Sequence, residues 1–259
     1  MLTKPLSDAV EALATLKNQR VWSLLVTVFG DLAQNDGDVI EGPVLSVLMS
    51  DIGIKAEATR VALHRLRNDG WINSVKSGRN SLHSLTASGR KESSAASPRI
   101  YGHPNDAPKH WHLLIMGSTS ARSRKAMAQL GFAQLMPRVY LGPRDATPPE
   151  DALVLSPTTL PPWLAEQFEP KDLAKDYAEL HQALQRVQNA VDQAALITPR
   201  DTAVLRCLIV HNWRRLVLKH PELPRDLYSP GWLGHDCRSL VSSLLSKLPK
   251  PDLGQISLE

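Results

Sequence analysis

Apolar side chains recur at helical spacing near the start of the chain, at Leu6, Ala9, Val10, Leu13 and Leu16, then at Val21, Leu24, Leu25 and Val28. This pattern predicts helix over about residues 6–35, ended by the turn-forming run Asn35-Asp36-Gly37-Asp38. A shorter apolar stripe of Val44, Leu45, Val47 and Leu48 predicts a second helix over 43–51. Gly53 breaks it and leaves a tight turn of Ile52-Gly53-Ile54. A third helix is expected over 56–69, stopping at Gly70, a residue favoured just past a helix end. Two extended stretches follow, 71–76 and 80–85, joined at Ser77-Gly78-Arg79, where a hairpin turn fits. Helix, helix, turn, helix and a two-stranded wing is the order of a winged helix-turn-helix.

The pattern changes twice more. Residues 93–109 are rich in Ser, Ala, Pro, Gly and Asn and read as a linker, with Arg99-Ile100-Tyr101 an anchored patch within it. Strands are expected at 111–116, 135–141 and 153–155, with a helix at 123–130, which makes a small α+β unit. Beyond Pro161-Pro162 the chain reads as helical at 171–194, from Thr198-Pro199-Arg200-Asp201 to about 219, and at 234–248. The expected fold class is therefore α+β, mainly α. Three parts are expected: 1–92 a winged helix-turn-helix, 93–160 a linker and central α+β domain, and 161–259 a helical domain. No internal repeat or low-complexity tract interrupts this scheme.

Composition narrows the setting. The chain has 259 residues, 42% hydrophobic and 22% charged, which suits packed cores and excludes a disordered chain. The start, Met1-Leu2-Thr3-Lys4-Pro5, lacks the layout of a signal peptide, and no apolar run reaches the ~20 residues of a membrane helix. A cytoplasmic protein is expected. Cys207 and Cys237 form no disulfide framework and no CxxC motif, and Cys207 reads as a small buried hydrophobe.

Charge distribution says more than the net +4. Residues 55–91 hold eight Lys or Arg against only Glu57 and Asp69, a local +6 that leaves the remainder net acidic by two. A basic module on a mildly acidic body is the electrostatic footprint of a DNA-binding domain. On the third helix, Thr59, Ala62, Leu63 and Leu66 share one face, while Glu57, Arg60, Val61, His64, Arg65 and Asn68 occupy the opposite arc. Arg can bond guanine edges bidentately, Asn can pair with adenine, and Arg or Lys can neutralise phosphate. Arg60, His64, Arg65 and Asn68 are thus candidates for groove contacts. Lys55, at the helix start, and Lys76, Arg79 and Asn80, around the wing turn, are candidates for backbone contacts. A charged solvated face, or a winged module that docks a protein, is the competing reading.

Other constellations are weaker. His110 and His112 alternate as two metal ligands on one strand face would, but no third ligand has suitable spacing, so no metal and no cofactor is expected. Ser118, Ser120 and Ser123 form no nucleophile motif and read as loop and cap residues. Trp213, Arg214, Arg215 and Trp232 could line a site for an anionic or aromatic ligand; a core tryptophan beside exposed arginines is the plainer reading.

Particular stretches also carry a family resemblance. Ser23-Leu24-Leu25-Val26-Thr27-Val28-Phe29-Gly30-Asp31, Arg60-Val61-Ala62-Leu63-His64-Arg65-Leu66 and Asp69-Gly70-Trp71-Ile72 resemble the PaaX family of repressors. So do Leu85-Thr86-Ala87-Ser88-Gly89-Arg90, Arg99-Ile100-Tyr101, Val210-His211-Asn212-Trp213-Arg214-Arg215 and Pro221-Glu222-Leu223-Pro224. The resemblance is collinear over nearly the whole chain. It implies a central domain similar to Cas2, of ferredoxin-like type, between the winged and helical domains. It further implies a homodimer that represses aromatic-acid catabolism genes at a double-stranded DNA operator, relieved by an aryl-CoA thioester such as phenylacetyl-CoA. One departure stands out: the stretch between Leu141 and Leu153 is too short and proline-rich for the expected second helix of such a domain. A Cas2-like domain also raises metal-dependent nuclease activity, but the first strand ends Ile115-Met116-Gly117-Ser118-Thr119, without a carboxylate to hold a cation. A non-enzymatic regulator is the expectation.

Overall fold

The computed structural model describes residues 4–17, 20–106, 110–117, 124–156, 161–220 and 222–258. It is mixed α and β and mainly helical. The first expected helix is two helices, α1 (Lys4–Ala14) and α2 (Val21–Leu32). The polar stretch that includes Lys17 and Arg20 offers no apolar side chain to continue a buried stripe, so the helix divides there. Then come β1 (Ile40–Glu41), α3 (Gly42–Asp51) and α4 (Ala56–Asn68). The turn between the last two uses Gly53 at φ +87, a left-handed conformation that suits glycine.

β2 (Ile72–Ser77) and β3 (Asn80–Leu85) form an antiparallel hairpin closed by the Ser77–Asn80 pair, with Gly78 at φ +59 in its turn. β1 adds to the other edge of β3, pairing Ile40 with His83, so the sheet order is β1-β3-β2. Leu24, Leu25, Val28 and Phe29 of α2, Leu45 and Leu48 of α3 and Ala62 and Leu66 of α4 belong to one buried core, in which α4 packs on both α2 and α3.

The stretch expected to be a linker is instead largely helix, α5 (Ala87–Tyr101). Thr86 caps it by accepting a hydrogen bond from the Gly89 amide at 2.9 Å. Its Ser and Ala residues look loop-like in composition, yet small side chains let α5 lie close against α2: a Cβ on Gly30 would stand 2.6 Å from Ser93 Oγ. The anchored patch holds. Ile100 is buried, and Arg99 donates to the carbonyls of Val217 and His220.

The central unit comprises β4 (Trp111–Met116), α6 (Arg124–Gln129), β5 (Ala133–Met136), β6 (Val139–Pro143) and β7 (Ala152–Leu155). The single strand expected over 135–141 is a hairpin, because Pro137 cannot donate to a ladder and Arg138 turns the chain at φ +64. The four strands pair antiparallel in the order β5-β6-β4-β7 around Leu114, Met116, Met127, Phe132 and Tyr140. Residues 144–151 contain turns and no helix, as their prolines lead one to expect.

After α7 (Pro162–Phe168), the long α8 (Lys171–Gln193) buries Leu173, Tyr177, Leu180, Leu184, Val187 and Val191 along one stripe. α9 (Pro199–Val217) opens with a Thr198–Asp201 capping box and is buried on every face from Asp201 to Trp213. A helix buried on every face belongs at the centre of the packing. α1 and α10 (Gly234–Lys247) pack on α8, and α2 and α5 pack on α9. Two arginines of α9 fasten the N-terminal helices: Arg206 on Asp31 of α2, and Arg200 on Asp51 of α3, each with two hydrogen bonds between 2.6 and 3.0 Å.

Candidate nucleic-acid interface

α3, α4 and the β2–β3 hairpin enclose an open groove. Its lining includes Lys55, Arg60, Val61, His64 and Arg67 from α4 and its start, with Arg79, Asn80 and Ser81 from the hairpin opposite. Thr59, Ala62 and Leu66 are buried beneath α4, which fixes the rotation of the helix and turns Arg60 and His64 outward. Lys55, Arg60, His64, Arg67, Arg79 and Asn80 are all exposed. Glu57, in the first turn of α4, favours the positive end of the helix dipole.

Five of the eight expected contact residues therefore share this groove: Lys55, Arg60, His64, Arg79 and Asn80. Asn80 also donates to Glu41 at 3.4 Å, tying the hairpin turn to β1. Three of the eight do not line it. Lys76 is exposed on β2, the outer strand of the hairpin. Asn68 lies one turn beyond His64, with its amide 3.3 Å from His64 Nδ1. Arg65 is turned the other way, its guanidinium 5.3 Å from the Trp22 ring centre and its Nε 3.5 Å from Asp69.

Arg67 lines the groove and was not among the expected contacts. On the helical wheel it falls at the edge of the outward arc, beside Arg60 seven residues earlier. The signal was the i, i+4, i+7 run of Arg60, His64 and Arg67. His83 lies in the groove floor, buried, with Nδ1 2.8 Å from Ser74 Oγ. Burial, and then the nearby charge of Arg67, hold its pKa below the ordinary histidine value.

The C-terminal candidates separate, because consecutive helical residues fan out by 100°. Trp213 is buried, donates from Nε1 to the Ile100 carbonyl at 2.9 Å and lies under the Arg238 guanidinium. Trp232 stacks on Tyr228 at 5.0 Å and meets Tyr177 edge-on. Both tryptophans line one small cavity, together with Arg99, His220, His235 and Arg238. Arg214 instead points to α2, donating to the Ser23 carbonyl and Thr27 Oγ1, and burial lowers its pKa. Arg215 sits half-buried beside Asn212.

His112 is buried and stacked on Phe132, while His110 is exposed ahead of the strand. Among the described residues no three His, Cys, Asp or Glu side chains are grouped to hold a metal. Ser118, Ser120 and Ser123 lie outside the described residues. No described helix is long and apolar enough to cross a membrane.

Residues 20–89, from α2 into the start of α5, match the model described as PaaX-like protein, and residues 168–252 match the PaaX-like protein C-terminal domain. The chain belongs to the PaaX family. It is 26% identical over 260 residues to the transcriptional repressor PaaX of Escherichia coli K12, covering 91% of this chain and 82% of that protein. The first PaaX-family match contains the whole groove, and the second contains all of α8, α9 and α10.

Proposed function

We propose that this PaaX-family chain is a sequence-specific DNA-binding transcriptional regulator and acts as a repressor. The observation that carries the reading is the exposed cationic groove in which Arg60, His64 and Arg67 of α4 face Arg79 and Asn80 of the hairpin. In this reading residues 1–92 are a winged helix-turn-helix. α4 enters the major groove, where arginine distinguishes base edges, and the hairpin meets the phosphate backbone. Residues 93–160 would form the shortened Cas2-like unit and 161–259 the helical domain that senses the effector. The chain would work in the cytoplasm, without catalysis. A homodimer would read a partly palindromic operator, since a two-fold protein matches a two-fold site. The name of the Escherichia coli relative supports repression. Family resemblance supports aromatic-acid catabolism genes as targets and an aryl-CoA thioester as the signal that releases DNA.

The test is fluorescence anisotropy on a duplex obtained by selection, with nonspecific DNA as competitor, paired with sedimentation to read the stoichiometry. Two protomers per duplex and release by phenylacetyl-CoA, but not by free phenylacetate, are expected. Affinity that ignores sequence would support the protein-docking reading of the same face, and metal-dependent cleavage of the duplex would support a nuclease.

A further inference from the structure

Val61 stands apart on α4. It is 65% exposed, yet it lines the cationic groove, on the same outward arc of α4 as Arg60 and His64. Single exposed apolar residues are ordinary on protein surfaces, so exposure by itself decides nothing. The position does. The outer arc of α4 is otherwise polar: Glu57, Arg60, His64, Arg65 and Asn68. An exposed helix site without packing favours Ala, Glu, Lys or Arg, and a β-branched side chain there loses rotamer freedom for no buried contact. The same stiffness gives Val61 one strongly preferred χ1, so its two methyl groups are held at fixed positions beside the ridge of Arg60, His64 and Arg67.

We propose that Val61 is a specificity-determining residue that reads a thymine through its C5-methyl group. The inference rests on the DNA-binding reading of the groove. In the major groove, thymine presents that methyl beside a single acceptor, and an apolar side chain is the complement it calls for. Arg60 and His64 would satisfy the polar edges of adjoining bases, and Val61, on the neighbouring side of the outward arc, would exclude water from the methyl. A solvated valine gains nothing from being there, whereas one pressed against a methyl removes apolar surface from water on both partners.

Uracil tests this directly, because it differs from thymine only in lacking the methyl. A duplex motif is selected with the wild-type protein, and each thymine in it is replaced by uracil in turn. Affinity is measured for the wild type and for Val61→Ala, a change at an exposed site that favours the helix. At one thymine per half-site, loss of the methyl should weaken wild-type binding about three- to tenfold. Val61→Ala should lose most of that sensitivity at the same position and keep the wild-type response elsewhere. A wild-type protein indifferent to uracil at every position overturns the inference about Val61 and leaves the groove reading standing. So does an Ala variant that shows the wild-type loss at the same thymine, as it must if Val61 serves a protein partner. Recovery of no motif at all overturns both readings.

Discussion

Arg206 on α9 meets Asp31 on α2 through two hydrogen bonds, Nε to Oδ2 at 3.0 Å and Nη2 to Oδ1 at 2.8 Å. Both side chains are almost wholly buried, and Tyr101 of α5 donates to the same carboxylate at 2.9 Å. The pair thus joins a helix beneath the proposed DNA-reading unit to the central helix of the C-terminal bundle. Removing one partner leaves a charge buried without compensation. Arg206→Met or Asp31→Asn should lower stability by about 3–5 kcal/mol, and the double variant should cost less than the sum of the singles. Urea unfolding of the four proteins checks this.

The two flanks of α4 should separate cleanly. Arg67 lines the groove, while Arg65 lies over Trp22. Arg67→Ala should weaken binding to a selected duplex by about 1–3 kcal/mol. Arg65→Ala should change affinity by no more than about 0.5 kcal/mol. Anisotropy at one fixed salt concentration compares them.

Arg79 sits at the exposed hairpin turn, where a cation would neutralise phosphate in the proposed complex. Arg79→Ala should weaken binding about equally across sequences and reduce the magnitude of the salt slope by about one. A plot of log Kd against log salt for two unrelated duplexes measures both effects.

His211 is fully buried on α9, with Nδ1 3.2 Å from Thr27 Oγ1. Burial, then the charges of Arg215 and Arg214, press its pKa down to about 3. The folded protein therefore holds it neutral, while the unfolded chain takes up a proton below about pH 6.5. Stability should be fully present above that pH and fall by up to about 1.4 kcal/mol per unit down towards pH 3. His211→Gln should flatten that part of the profile in denaturant unfolding between pH 7 and 4.5.

Gly89 lies where α5 leaves the hairpin, and a Cβ there would stand 2.3 Å from the Trp71 carbonyl oxygen. Backbone must shift to admit it. Gly89→Ala should destabilise by about 1–3 kcal/mol, read as a fall in Tm.

Much of the proposed interface was legible because its signals are local. Gly53, Gly70 and Gly78 mark the turns, and the stripe of Thr59, Ala62 and Leu66 sets the inward face of α4. What sequence reading missed depends on neighbours. Arg65 and Arg67 sit on opposite margins of the same arc, and only the positions of α2 and the hairpin decide which one meets the groove. α5 looked like a linker because its helicity rests on packing between α2 and α9, where Ser and Ala fit and larger side chains would not. Arg214 and Arg215 adjoin Trp213 in sequence, but the helix points the three in different directions.

The central claim, that this groove reads duplex DNA, is met most directly by selection from a random duplex library. The wild type is run in parallel with a variant carrying Arg60→Ala and Arg67→Ala, both changes at exposed positions. The account predicts an enriched motif of two inverted half-sites for the wild type and its loss in a variant that melts at the wild-type temperature. A wild-type selection that enriches no motif, or a variant that recovers the same one, would contradict it.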